Sequence, residues 1–177
     1  MRTRRGKLAT RGCPCGWRGH PRKPCVCPPG TVSRYLGRLS GPLIDRIDLQ
    51  IELPPVAFEE WSARAPSGEP SSVVRGRVAA ARALQERRWG AGPAPLNAFV
   101  PAPEFRARAR VTGAALDALA AVERRAALSA RALDRVLRVA RTVADLASQA
   151  DIGPEHIIEA AQLRGLDRLR SGLEAVA

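Results

Sequence analysis

The chain has 177 residues, 45% of them hydrophobic and only 4% aromatic. One domain core fits within that, built from Ala, Leu, Val and Ile, which favours packed helices over a β-sandwich. A formal net charge of +12 points to an anionic partner such as nucleic acid, and no apolar run approaches the roughly 18 residues that cross a bilayer.

The charge is unevenly placed. Residues 1–44 carry ten Lys/Arg and no Asp/Glu, while the remainder is close to neutral. The start, "MRTRRGKLATRG", is basic with no apolar stretch behind it, unlike a secretory signal. A cytoplasmic location is the expectation, with thiols reduced or metal-bound. Residues 1–11 read as a disordered basic tail, and for them an Arg-rich coding bias is preferred to nucleic-acid binding.

All four cysteines follow in "GCPCGWRGHPRKPCVCPPG", residues 12–30. Four thiolates complete a tetrahedral zinc shell at about 2.3 Å each. In a straight strand, residues two apart have Cβ atoms nearly 7 Å apart, so the turns at Pro14, Gly16, Pro24 and Pro28 are needed to make Cys13, Cys15, Cys25 and Cys27 converge. Arg18, Arg22 and Lys23 lower the thiol pKa values and soften the charge of such a centre. Four free thiols, or two disulfides in an exported chain, are the alternatives. His20 is a spare donor beside an already complete set. A closed shell is structural and leaves no open position for catalysis.

"TVSRYLGRL" then reads as a short helix capped by Thr31, and "SGPLIDR" as a turn with Pro42 at a helix start. In "IDLQIEL", Ile47, Leu49, Ile51 and Leu53 alternate with Asp48, Gln50 and Glu52, the strand pattern of the sequence. A polar linker occupies 63–72. Everything beyond reads as helical. Ser71 or Ser72 caps "VVRGRVAAARALQERRW", with Val74, Val78, Ala81 and Leu84 on one side. "GAGPAP" breaks the chain ahead of a short segment at "PAPEFRARAR". Thr112 opens "GAALDALAAVERRAA" and Ser129 opens "ARALDRVLRVARTVADLAS". Pro154 starts "PEHIIEAAQL", which packs Ile157, Ile158 and Ala161.

In the helix after Ser129, Leu133, Val136, Leu137 and Ala140 form the stripe expected to be buried, and Arg131, Arg135 and Arg138 share the other face. Arg131 falls in the first turn, where a cation opposes the helix dipole and a bound phosphate would offset it. The alternative is a solvated basic face.

In order and spacing, "CPCGWRGHPRKPCVC", "RYLGRLSGPLIDRIDLQIELP", "SSVVRGRVAAARALQ", "LSARALDRVLRVARTVADL" and "IGPEHIIEAAQLRGLDR" resemble the C-terminal portion of the YifB/ComM-type, magnesium-chelatase-like AAA+ ATPases. The resemblance implies a mainly α fold. A helical lid bundle of four or five helices spans 73–170, with a tail at 171–177. It is preceded over 12–62 by the Cys-rich loop and one or two strands of an incomplete AAA+ α/β core. It further implies a hexameric ring, ATP with Mg²⁺ in the complete assembly, and DNA remodelling of the branch-migration helicase kind.

By the same resemblance, Arg46 in "LIDRID" matches the arginine finger, acting on a neighbour's nucleotide, and Arg131 in "LSARALDR" the sensor-2 arginine, with Arg135 a weaker nucleotide contact. A surface ion pair of Arg46 with Asp45 or Asp48 is the alternative. These 177 residues contain no Gly-x-x-x-x-Gly-Lys-Ser/Thr loop, and Arg11-Gly12 stands where the family has Asn-Pro. The chain alone is therefore expected not to hydrolyse ATP, a separate N-terminal ATPase half being a possible partner. Two other readings stand beside this one. One is a non-enzymatic, zinc-stapled nucleic-acid-binding module contacting its ligand through Trp17, Arg18, Arg22, Lys23, Arg34 and Tyr35. The other is a degraded gene product.

Overall fold

A computed structural model describes residues 9–51, 53–63, 68–90 and 96–164. Most of the tail expected at 1–11, the centre of the 63–72 linker, the chain break after Gly90 and everything beyond Arg164 lie outside the described residues.

The described residues form eight helices, in order α1 Pro29–Leu36, α2 Gly41–Ile44, α3 Phe58–Ser62, α4 Ser71–Trp89, α5 Ala102–Arg108, α6 Gly113–Ala126, α7 Ala130–Leu146 and α8 Pro154–Gln162. The last five make the bundle. Thr112 caps α6 and Ser129 caps α7, each Oγ accepting the amide three residues on, from Ala115 and Ala132, at 3.2 and 3.1 Å. α8 packs against both α6 and α7, and α4 lies along α7. Phe105, Leu119, Val136, Ala140, Ile152, Ile157 and Ala160 fill the centre. Each fully buried branched or aromatic side chain there contributes about 1.5–3 kcal/mol. Val111 and Ile152 form one parallel bridge that ties the start of α6 to the turn before α8. Among the described residues no helix is long and apolar enough to cross a membrane.

Several local expectations need correction. α1 starts at Pro29 behind an N-cap at Pro28, so Thr31 lies inside the helix. A proline ring pre-sets φ for the first turn, and the hydroxyl is not needed. α4 likewise begins after Pro70 with no side-chain cap. Val74 and Val78 are exposed, because α4 buries only Ala81 and Gln85, in its second half. On α8, Ile157 and Ala160 are buried while Ile158 is exposed. The alternating 47–53 segment makes one isolated parallel bridge, Gln50 to Arg164, instead of a strand. A strand needs a neighbour along its length, and the described residues supply one only at Gln50.

Candidate functional site

The cysteine loop closes on itself. The Cys13 and Cys15 Sγ atoms lie 3.3 Å apart, Cys15 and Cys25 3.6 Å, and Cys25 and Cys13 3.5 Å. All four Sγ atoms, Cys27 included, fall within 4.8 Å of one another, and Cys13 is fully buried. Four ligands at about 2.3 Å around a tetrahedral ion sit roughly 3.8 Å from each other, so this donor set could hold a metal ion after small shifts of the sulfurs. Gly16 makes the first turn with φ +80°, and a Cβ there would meet the Arg11 side chain at 2.9 Å.

Backbone amides aim at the sulfurs. Those of Trp17 and, less strongly, Val26 outweigh desolvation and hold the Cys15 thiol down at about 6. At Cys13 burial pushes up, yet the amides of Arg18 and Gly16 and the Cys25 thiol leave it below its ordinary value. The Cys27 amide pulls Cys25 down, but desolvation and the neighbouring sulfurs outweigh it and push the thiol up to about 12. Cys27 is raised as well: the Cys15 amide favours its thiolate, and desolvation with the Cys15 sulfur overcomes it. The cluster can thus hold a metal ion, and without one it divides into two more acidic and two less acidic thiols.

His20 is not part of it. Its Nδ1 accepts the amides of Arg22 and Lys23, both at 3.1 Å, and its ring stands edge-on to Trp17. Lys23 Nζ sits 4.0 Å above the Trp17 ring. Trp17 is therefore already stacked within the loop, whereas Arg18, Arg22 and Arg34 are exposed. Tyr35 shares a hydroxyl contact with Thr10 at 3.4 Å.

The second cluster lies where residues 45–50 dock on the lid. Ser129 Oγ donates to Asp45 Oδ2 at 3.0 Å, and Arg135 Nη1 to Asp48 Oδ1 at 2.7 Å. The Gln50 amide donates to Leu163 O at 2.6 Å, and Arg164 Nη1 to Ile47 O at 3.0 Å. Arg46 and Arg131 are both exposed, and neither side chain makes an ion pair or hydrogen bond among the described residues. The Asp45–Ser129 contact joins the residue before Arg46 to the N-cap of the helix that carries Arg131. The surface pair expected as the alternative for Arg46 is not made, since Asp45 and Asp48 are engaged by α7. Arg135 is half-buried in its ion pair, and Arg138 is buried, contrary to the shared solvated face expected of them.

Sequence reasoning missed a polar core. Arg141 is fully buried, with Nε on Asp145 at 3.1 Å and its other nitrogens on the carbonyls of Ala109, Gln149 and Ala150. Asp145 also accepts two bonds from Arg88, at 2.6 and 3.0 Å, and one from Asn97 Nδ2 at 2.9 Å. Asn97 accepts from Trp89 Nε1 and receives Arg138 Nη1 on its carbonyl, while its amide donates to Gln85. Two signals were available: the i, i+4 spacing of Arg141 and Asp145, and the fact that Asn97 is the chain's single asparagine.

Comparison with known proteins agrees with this architecture. Residues 68–164 match the family model "Magnesium chelatase, subunit ChlI C-terminal", and residues 7–61 match "Magnesium chelatase, subunit ChlI". An uncharacterized protein of Mycobacterium tuberculosis (strain H37Rv) is 40% identical over 159 residues, covering 89% of this chain and 30% of its own length. The protein YifB of Escherichia coli (strain K12) is 38% identical over 143 residues, 81% of this chain and 28% of that one. The competence protein ComM of Haemophilus influenzae is 35% identical over 141 residues, 80% and 27% respectively. The chain spans less than a third of the length of these relatives. From residue 7 to residue 164 it carries the sequence of one family, and it belongs to the YifB/ComM-type, magnesium-chelatase-like proteins.

Proposed function

We propose that this chain contributes Arg46 and Arg131 to an ATP site built mostly by another polypeptide, in a ring-forming AAA+ ATPase that remodels DNA. The observation that carries the reading is the corner at Asp45–Ser129. Of the arginines on the 45–50 loop and α7, Arg46 and Arg131 alone make no side-chain hydrogen bond or ion pair among the described residues. Arg46 follows Asp45 directly and Arg131 lies two residues after Ser129 in the first turn of α7, and exposed guanidinium forks beside a helix N-terminus suit phosphate oxygens. The exposed apolar side chains of Leu49, Ile51 and Leu53 support the same reading, because an alternating segment left open on one side suits a sheet completed elsewhere.

In that assembly Arg46 would neutralise charge developing on a neighbour's γ-phosphate, and Arg131 would hold the nucleotide against the lid. Zinc is the metal we assign to Cys13, Cys15, Cys25 and Cys27, since four thiolates at tetrahedral spacing suit it. Its part would be to fold the loop.

The test is ATP hydrolysis by the purified chain, alone and mixed with an N-terminal half carrying the phosphate-binding loop. We expect no turnover alone and turnover on mixing. Arg46→Ala should then lower the rate by about 10³-fold or more, and Arg131→Ala should weaken nucleotide binding. Turnover by the chain alone would overturn the proposal.

A second reading, a zinc-stapled nucleic-acid module, is favoured by the exposed Arg18, Arg22 and Arg34 in a region without carboxylates. Lys23 covers the Trp17 ring, so base stacking there would first require its displacement. DNA affinity that falls steeply with salt and is lost on chelation would support this reading, and salt-insensitive binding would end it.

A further inference from the structure

We infer that the lid prepares Arg46 for an anion, with Arg135 and Ser129 as positioning residues that clamp its loop and occupy the carboxylates that would otherwise pair with it. This rests on the reading of Arg46 as a phosphate-facing group. Arg46 has a carboxylate on each side, Asp45 immediately before it and Asp48 two residues on. An exposed arginine so placed ordinarily folds back onto such a neighbour. Here both neighbours are taken. Asp45 Oδ2 accepts the cap hydroxyl of Ser129, and Asp48 Oδ1 accepts the Arg135 guanidinium in a charge-assisted bond.

The same contacts immobilise the backbone that bears Arg46. Its amide donates to Leu43 O at 3.1 Å and that of Ile47 to Ile44 O at 3.0 Å. The Gln50 amide and the Arg164 side chain then complete the attachment to the end of α8. Residues 45–50 are thereby stitched to the lid at four points, and Arg46 is the exposed charged group among them. Two effects follow from one device. An incoming phosphate meets Arg46 without the full repulsion of Asp48, and any rotation of the lid carries Arg46 with it.

The experiment uses the whole 177-residue chain, with two readouts. One is hydrogen exchange at the Ile47 and Gln50 amides. The other is the part of pyrophosphate binding at low salt that Arg46→Ala removes. Arg135→Ala should speed exchange about two- to fivefold, as expected for a partly exposed ion pair, and lower the Arg46-dependent binding. Adding Asp48→Asn to Arg135→Ala should restore that binding but not the protection, because the competing charge is gone while the clamp is still missing. The exchanged pair Asp48→Arg with Arg135→Asp should restore protection.

Asp48→Asn alone serves if Arg135→Ala does not fold: exchange should rise with binding retained. Unchanged exchange in these variants, or no recovery of binding in the double variant, would overturn the inference. Failure of the phosphate reading is seen separately, as an Arg46→Ala variant that binds pyrophosphate normally.

Discussion

Removing the Asp145 carboxylate is the sharpest test of how the lid is held together. Asp145 has a fully buried side chain and receives bonds from Arg88, Arg141 and Asn97. Burial lowers the pKa of Arg141, and Asp145 is what counters it. Asp145→Ala leaves that guanidinium buried against neutral carbonyls alone, a change that typically costs about 3–5 kcal/mol. A domain of this size has roughly 5–15 kcal/mol in total, so about a fifth or more of the stability should be lost. At about 4–8 °C per kcal/mol for such a domain, the melting temperature should fall by about 12–40 °C. Arg141→Met should cost less, because Asp145 would keep Arg88. The double variant should cost about 1–3 kcal/mol less than the sum of the singles. Circular dichroism melts and urea titrations read all three. A loss below about 1 kcal/mol for Asp145→Ala, or strict additivity, would refute the idea that this carboxylate compensates a buried charge.

Loading zinc at pH 7.5 should release between about two and three protons, since Cys25 and Cys27 are shifted up and stay protonated, Cys15, at about 6, is already ionised, and Cys13 is lowered from its ordinary value. Calorimetry in buffers of different ionisation enthalpy measures that number. As pH falls through 6, Cys15 gains its proton in the metal-free loop too, so the release should grow and affinity should drop more steeply; a release of zero or of four at pH 7.5 would contradict the assignment. Cys13→Ser or Cys25→Ser should abolish stoichiometric zinc by elemental analysis. Thr112→Ala and Ser129→Ala should each destabilise by about 1 kcal/mol through loss of a cap. Thr112 should be the costlier of the two, because its hydroxyl also donates to the buried Ile152 carbonyl at 3.0 Å.

What was legible in the sequence is what depends on near neighbours. Thr112 and Ser129 announce α6 and α7 because a cap acts on an amide three residues away, and four cysteines interleaved with prolines and glycines leave few ways to fold. The failures are of two kinds. At α1 and α4, prolines and hydroxyl residues compete for the same helix start, and in both the proline precedes the helix or opens it. At Ile47–Leu53, the alternation describes a segment fit for a sheet, but a strand is a relation to another strand. Val74 and Val78 mislead similarly: they lie on the first half of α4, which buries none of its residues, so their apolar side chains stay exposed. The Arg141–Asp145–Asn97 core joins residues up to 57 apart, from Arg88 to Asp145, and no local pattern fixes that meeting.

The distribution of arginine explains how so aromatic-poor a chain sustains an ordered lid. Arg88, Arg138 and Arg141 each lay an aliphatic stem in the interior and spend the planar fork on carboxylates or on carbonyls that no helix satisfies. Arg141 in particular closes the turn after α7 by binding the carbonyls of Gln149 and Ala150, a region without regular secondary structure. Charge count therefore says little about which arginines are available to a ligand. Availability is decided by local acceptors: where carbonyls and carboxylates converge the guanidinium is structural, and where the nearest carboxylates already accept bonds from Ser129 and Arg135, as beside Arg46, it stays exposed.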